Sequence, residues 1–201
     1  MSKKRIIWIS VSALLLVAIG ILIFVLTAKP KTYSYKGHII AVRDSDDGKV
    51  ITTLYGNKQS EFTIKWYTKK AFEGGLTELK EGAFIKLNTT KKSETNVKNF
   101  LAYEGFSMTG TIVYLEGETK PYILTFGTVV NYYSLYALIP SDDTDYNLET
   151  GMQVKIYYQY ELNASTEQIV VDAITPTSED IATFTEEEMN FIQRKGYAIA
   201  K

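Results

Sequence analysis

Few side chains in this sequence could perform acid–base or nucleophilic chemistry. His38 is the only histidine, so any histidine-based dyad must use it. Cysteine is absent, which excludes disulfides, thiolate metal sites and thiol catalysis. His38 follows Gly37 at the start of a predicted strand, a place more typical of a structural or solvated histidine than of a catalytic base. No nucleophile elbow, phosphate-binding glycine loop or two-histidine metal motif occurs either, so we expect a protein that is not an enzyme and holds no cofactor.

One acidic loop has a composition that could suit a cation. Asp143, Asp145 and Asn147 place oxygen ligands at alternate positions, as Ca²⁺ prefers. The loop departs from the EF-hand pattern, because Leu148 stands where the turn glycine belongs and Val154 where the bidentate glutamate belongs. We therefore expect a solvated acidic loop and no metal site, with those three residues as the weak alternative.

Tyrosine is abundant, with 15 residues, and several of them lie on predicted strands in the second half of the chain. Strand alternation turns Tyr158 to the same face as Ile156 and turns Tyr157 to the opposite face. Exposed aromatic rings can stack on sugars or anchor a protein partner. The candidate ligand-binding residues are Tyr132, Tyr136 and Tyr157, and packing in a core or an ordinary surface position is the alternative.

The sequence contains an internal repeat, so the strands that position these side chains are predicted to occur in two similar units. The pattern Leu-x-x-Gly-x-x-(Ile/Val)-Lys-(Leu/Ile) spans residues 79–87 and again 148–156. Each copy has the same surroundings, an upstream glycine and a closing apolar residue, which are Gly37 and Leu101 in the first and Gly110 and Val170 in the second. Three landmarks in the same order indicate a duplicated unit of about 70 residues.

The N-terminal segment predicts where the protein resides. Residues 6–28 form an unbroken uncharged run, long enough as a helix to cross a bilayer core of about 30 Å. The basic residues of the tail 1–5 orient that tail toward the cytoplasm and residues 32–201 outward, which makes a single-pass protein of the cell membrane. A cleaved signal peptide ending at Ala28 is the alternative, but Leu26 is bulky where a small residue is needed, so retention is favoured.

The short β-branched and aromatic runs in each unit have the periodicity of strands, in the order three strands, a connector and two strands. This order, with Gly82 and Gly151 before the fourth strand, resembles the OB-fold, a small Greek-key barrel. The first unit, with its anchor and its Lys-Glu-Gly-Ala-Phe-Ile-Lys-Leu turn, also resembles the YxeA-like proteins of Gram-positive bacteria. The fold class is therefore mainly β, with a transmembrane helix, two five-stranded OB-like barrels at 32–107 and 108–176, and a helical tail at 177–201.

The tail contains a clear helix signal. Thr185 and Glu188 form a capping box, and Gly196 stands where a C-terminal cap belongs, which predicts a helix over residues 186–195. One side of this helix is apolar. It either docks on the second barrel or is presented to a partner chain, and the candidate partner-binding residues are Met189, Phe191 and Ile192.

Charge narrows the choice of ligand. Residues 32–107 contain 12 Lys or Arg and 9 Asp or Glu, whereas residues 108–176 contain 2 and 9. An acidic exterior argues against nucleic acid. We expect a non-enzymatic accessory protein, anchored in a bacterial membrane, that binds or positions a protein partner in an envelope assembly. The alternative is a binding module for cell-wall glycan or lipid-linked polymer that uses the tyrosine-rich face.

Overall fold

The computed structural model describes residues 31–90, 97–127, 132–163 and 165–200. The predicted cytoplasmic tail, 1–5, and the predicted transmembrane helix, 6–28, lie outside these residues. Within the described part of the chain, no helix combines the length and the apolar character that a membrane span needs.

The described residues are mainly β and form two six-stranded sheets and one short helix. The first sheet contains β1 Tyr33–Ser45, β2 Gly48–Tyr55, β3 Lys58–Lys65, β4 Lys69–Phe72, β5 Phe84–Thr89 and β6 Val97–Tyr103. The second contains β7 Phe106–Tyr114, β8 Pro121–Gly127, β9 Tyr132–Pro140, β10 Met152–Tyr158, β11 Gln168–Val171 and β12 Ala173–Ile181. Helix α1 spans Glu186–Arg194.

The two sheets have related connectivity. Their strand orders are β3-β2-β1-β5-β6-β4 and β11-β9-β8-β7-β10-β12. In each, three strands form an antiparallel meander, and the first strand of the meander also pairs with the strand that follows the connector. Each sheet also contains one parallel pair, β4 with β6 and β9 with β11. The sheets are therefore barrel-like.

Each sheet has six strands where five were predicted. In the first sheet the sixth strand is β4, which forms within the predicted connector after a turn in which the Thr68 N–H donates to the Lys65 carbonyl. In the second sheet, Asp172 separates β11, which pairs with β9, from β12, which pairs with β10. A strand that changes partners must bend, and the bend splits it into two.

The backbone hydrogen bonds repeat as the sequence does. The Gly82 N–H donates to the Ile39 carbonyl over 2.8 Å, and the Gly151 N–H donates to the Ile112 carbonyl over the same distance. Both glycines have positive φ, 87° and 90°, a conformation that disfavours side chains other than hydrogen. The repeated glycine therefore performs the same turn in both halves.

Each sheet encloses its own apolar core, and a third cluster joins the two sheets. The first core includes Ile39, Ile51, Phe62, Ile85 and Leu87, and the second includes Ile112, Ile123, Val154, Ile156 and Ile169. The joining cluster consists of Leu54, Tyr157 and Ala173, with Ile40 packed against it. Residues 33–201 accordingly form one compact unit.

The predicted C-terminal helix is confirmed. The Thr185 hydroxyl accepts from the Glu188 N–H, and the Glu188 carboxylate accepts from the Thr185 N–H, so the capping box is complete. Ile192 is 1% exposed and packs against Val113 and Leu115 of the second half. The helix therefore docks on the second sheet.

Candidate functional site

An open, aromatic groove lies between the β8–β9 hairpin and helix α1. Phe126 and Tyr133 are cross-strand partners whose ring centroids lie 4.9 Å apart. The Tyr133 ring lies 5.7 Å from that of Phe191 on the helix. Tyr132 completes the aromatic wall. About half of the Phe126 and Tyr132 side chains remains exposed, at 48% and 52%, so their rings are available to a ligand.

Helical spacing supplies the opposite wall of the groove. Glu187, Asn190, Phe191 and Arg194 follow one another at intervals of three, one and three residues, which places them on one face of α1. The groove encloses about 1000 Å³ and combines aromatic rings with carboxylate, amide and guanidinium groups. These groups can donate and accept hydrogen bonds along a ligand whose flat faces lie on the rings.

A second groove adjoins the first across Tyr132, Tyr133 and Phe191. It encloses about 690 Å³ and is lined on its far side by the loop between β10 and β11. The polar residues of that loop that line it are Asn163, Ser165, Thr166 and Glu167. Because both grooves share the aromatic wall, they form one extended surface, which suits an elongated ligand.

The predicted tyrosines do not all lie on this surface. Tyr132 lines both grooves, and Tyr136 lines the second one while it packs in part against the second core. Tyr157 is only 4% exposed, because the face of β10 on which it stands is covered by Leu54 of the first sheet. The placement of Tyr157 on an exposed aromatic face is therefore corrected, although the strand alternation itself was right.

The predicted partner-binding residues of the helix also differ in whether they are accessible. Phe191 lines the grooves, and Met189 is partly exposed. Ile192 is buried against the second sheet, so it cannot contact a partner, and its prediction is corrected. The helix turns its most apolar position inward because the sheet offers Val113 and Leu115 there.

Sequence reasoning missed six residues that line the first groove, which are Phe126, Tyr133, Glu187, Asn190, Gln193 and Arg194. Their signal was present but weak. Phe126 and Tyr133 lie on the two strands of a predicted hairpin close to its turn, and Asn190 and Arg194 share a helical face with Phe191. Only the docking of α1 beside the hairpin brings these two local signals together.

The acidic loop is organised by its own backbone. Asp145 accepts a hydrogen bond from the Asn147 N–H over 3.0 Å, and Asp142 accepts one from the Thr144 N–H over 3.1 Å. Such side-chain turns are typical of Asp in loops. Among the described residues, no cluster of three or more His, Cys, Asp or Glu side chains is placed to hold a metal ion, and Asp143 belongs to none.

His38 is fully buried at the contact between the two sheets. Its Nδ1 lies 3.1 Å from the Gly82 carbonyl, and its Nε2 lies 2.9 Å from Asp172 Oδ2. The Asp172 carboxylate only accepts, so the His38 Nε2–H donates to it, and this hydrogen bond fixes the ring at the junction of the sheets. With no exposed surface, His38 has no access to a ligand, and its geometry supports a structural role.

Asp172 is stabilised in its charged form. Burial acts to raise the pKa of Asp172, but hydrogen bonds from His38, Gln159 and Ser141 outweigh it and lower the pKa below the ordinary 3.8. The Gln159 amide donates to Oδ2 over 2.7 Å. A carboxyl group whose pKa is lower in the folded than in the unfolded chain stabilises the fold above the unfolded value.

We expect acid to remove this contribution. It is complete above the ordinary pKa of 3.8 and is lost as the pH falls through the lower pKa of folded Asp172. The midpoint of urea unfolding should therefore drop more steeply below about pH 4 in the natural chain than in Asp172→Asn, which cannot titrate. Parallel slopes for the two chains would contradict the assignment.

Comparison with protein-family models, with curated proteins and with solved structures found no match to this chain. The interpretation of the grooves therefore depends on their own geometry. That geometry is an open surface with partly exposed rings and, beside them, both charged and uncharged hydrogen-bonding groups.

Proposed function

We propose that this protein is a non-enzymatic binding module of the bacterial envelope, held at the membrane by residues 6–28, whose two grooves bind an extended glycan chain. The observation that carries this proposal is the aromatic wall of Phe126, Tyr132 and Tyr133 with amide and hydroxyl groups on both sides. Aromatic faces cover the apolar faces of sugar rings, and amides and hydroxyls match the ring hydroxyls.

The connectivity of the second sheet supports an OB-like barrel as the scaffold. In OB-folds, ligands bind on the face of strands 2 and 3 and on the loop between strands 4 and 5, and oligosaccharides are among those ligands. Here β8 and β9 are the second and third strands of the unit, and the loop at residues 159–167 precedes the fifth. The grooves lie at those places.

Charge favours an uncharged polymer. Residues 108–176 carry 9 acidic and only 2 basic side chains, so a polyanionic wall polymer or a nucleic acid would be repelled. Glu187 and Arg194 line the first groove, and Glu167 and Lys195 line the second, which leaves the binding surface of mixed sign. A neutral glycan chain meets no such penalty.

Loss of a ring should weaken glycan binding. We expect Tyr132→Ala and Phe126→Ala each to reduce affinity about tenfold, because truncation of an aromatic anchor commonly costs more than 1 kcal/mol. The full chain in detergent would be tested on a glycan array and by titration with soluble peptidoglycan fragments. Tyr67→Ala is the matched control, since Tyr67 is 82% exposed but lies in the first half of the chain. If the protein bound none of the envelope glycans, the proposal would be wrong.

A protein partner is the second candidate. Tyr132, Phe191 and Arg194 are of the residue types that dominate binding energy in protein interfaces, and they meet at one groove. A photo-crosslinking amino acid at Phe126, used in intact membranes, should then yield one discrete protein adduct that weakens with Arg194→Ala. The same probe at Tyr67 should not yield that adduct.

A further inference from the structure

Two large aromatic side chains stand exposed at a tip of the first sheet. Trp66 is 63% exposed and Tyr67 is 82% exposed, in the turn between β3 and β4. The exposed residues Lys69 and Lys70 follow after the buried Thr68. We call Trp66, Tyr67, Lys69 and Lys70 the aromatic tip. Exposed Trp and Tyr beside lysines are typical of groups that lie at the interface between membrane and water.

Strand register places the aromatic tip at the end of the sheet where the chain enters it. Ser34 pairs with Asn88, Asn88 pairs with Asn99, and Asn99 pairs with Lys69 in one row across β1, β5, β6 and β4. Hydrogen bonds support the row, since Ser34 donates to Asn88 over 2.7 Å and Asn88 donates to Asn99 over 2.8 Å. Because β1 and β4 run in the same direction, Tyr67 precedes β4 at the end where residue 32 precedes β1.

The reach of the chain allows both points to meet one membrane surface. The aromatic tip lies three strand spacings from β1, or about 14 Å. The predicted transmembrane helix ends at residue 28, five residues before Tyr33, and five extended residues span at most about 18 Å. A membrane that holds residues 6–28 is therefore within reach of the aromatic tip.

The charges around the tip leave its lysines able to meet lipid phosphates. Lys65 pairs with Asp47 over 3.8 Å and Lys49 with Asp44 over 2.8 Å, so these acidic side chains are balanced by neighbours. Asp46 adds a negative charge, and its carbonyl accepts from Trp66 Nε1 over 3.3 Å. Against it stand Lys69 and Lys70, so charge contributes modestly and the two rings contribute most.

We propose that the aromatic tip rests in the headgroup region of the bilayer that holds the N-terminal helix. The rings of Trp66 and Tyr67 enter the interface, and Lys69 and Lys70 lie at the level of the phosphates. This second attachment point restricts rotation of the first sheet about the linker. The proposal depends on a retained anchor and is independent of what the grooves bind.

Tryptophan fluorescence tests the proposal in the full chain. The sequence contains two tryptophans, Trp8 and Trp66, so Trp8→Phe leaves Trp66 as the only tryptophan, which is excited selectively over tyrosine at long wavelength. The protein would be inserted into vesicles of phosphatidylcholine and phosphatidylglycerol with brominated acyl chains. We expect a blue shift of Trp66 emission and a loss of intensity on bromination. A second variant, Lys69→Glu with Lys70→Glu, should reduce that loss.

A matched control separates contact by the tip from general proximity. Trp8→Phe, Trp66→Phe and Tyr132→Trp together place the only tryptophan in the groove, at a position of similar exposure, and its emission should not respond to bromine. Equal quenching at positions 66 and 132, or no quenching of Trp66 in protein that resists carbonate extraction, would overturn the proposal. If carbonate extracted the protein from the vesicles, residues 6–28 would not anchor it, and the proposed contact of the tip would be wrong. Glycan binding in detergent would be unaffected by that result, so the two proposals can be tested separately.

Discussion

Replacement of Asp172 with alanine is expected to lower the free energy of unfolding by about 3–5 kcal/mol, the range for removal of one partner from a buried ion pair. The pair joins the sheets at 2.9 Å, and neither side chain is more than 3% exposed. Without Asp172, the His38 Nε2 faces no acceptor and the Gln159 amide loses one as well. A buried histidine ring and a buried amide left without their shared acceptor are the main cost.

Urea unfolding of the full chain in detergent, followed by near-ultraviolet circular dichroism, measures this loss. Asp143→Ala is the matched control, because Asp143 is exposed, and it should change stability by less than about 0.5 kcal/mol. His38→Ala combined with Asp172→Ala should cost clearly less than the two single changes added together. A loss below 1 kcal/mol for Asp172→Ala would show that the pair does not stabilise the junction.

Alanine at the two repeated glycines should give unequal results. Gly82 and Gly151 share a motif and nearly the same φ, so each alanine has a conformational cost of about 1–2 kcal/mol. At Gly82 the new methyl group meets, among the described residues, the Gly105 carbonyl at 3.9 Å. At Gly151 it would lie 2.5 Å from the Ala182 carbonyl and 2.7 Å from Ile181 Cγ2. That contact adds about 1–3 kcal/mol for displacement of packed atoms.

We therefore expect Gly151→Ala to destabilise the fold by about 3 kcal/mol and Gly82→Ala by about 1 kcal/mol. The same urea experiment measures both, and each variant serves as the control for the other. Equal losses would mean that the end of β12 moves away from residue 151 at little cost, and that the close contact with Ala182 does not constrain the turn.

The sequence by itself determined the features that depend on neighbours along the chain. The capping box joins Thr185 to Glu188, and the turns at Gly82 and Gly151 likewise close by hydrogen bonds between residues three apart. Strand periodicity also turned Tyr157 away from the face of Ile156, as observed. These features were predicted because hydrogen bonds within a turn and the alternation of a strand need no distant partner.

Only the tertiary structure decided which of these faces is covered. His38 and Asp172 stand 134 residues apart, and nothing local to either residue indicates the other. Tyr157 and Ile192 were placed on exposed surfaces, but the first sheet covers one and the second sheet covers the other. The groove arises because α1 docks beside Phe126 and Tyr133. The local sequence determines which residues share a face of a strand or helix. Whether that face is buried depends on contacts with residues far away in the chain, which only the tertiary structure shows.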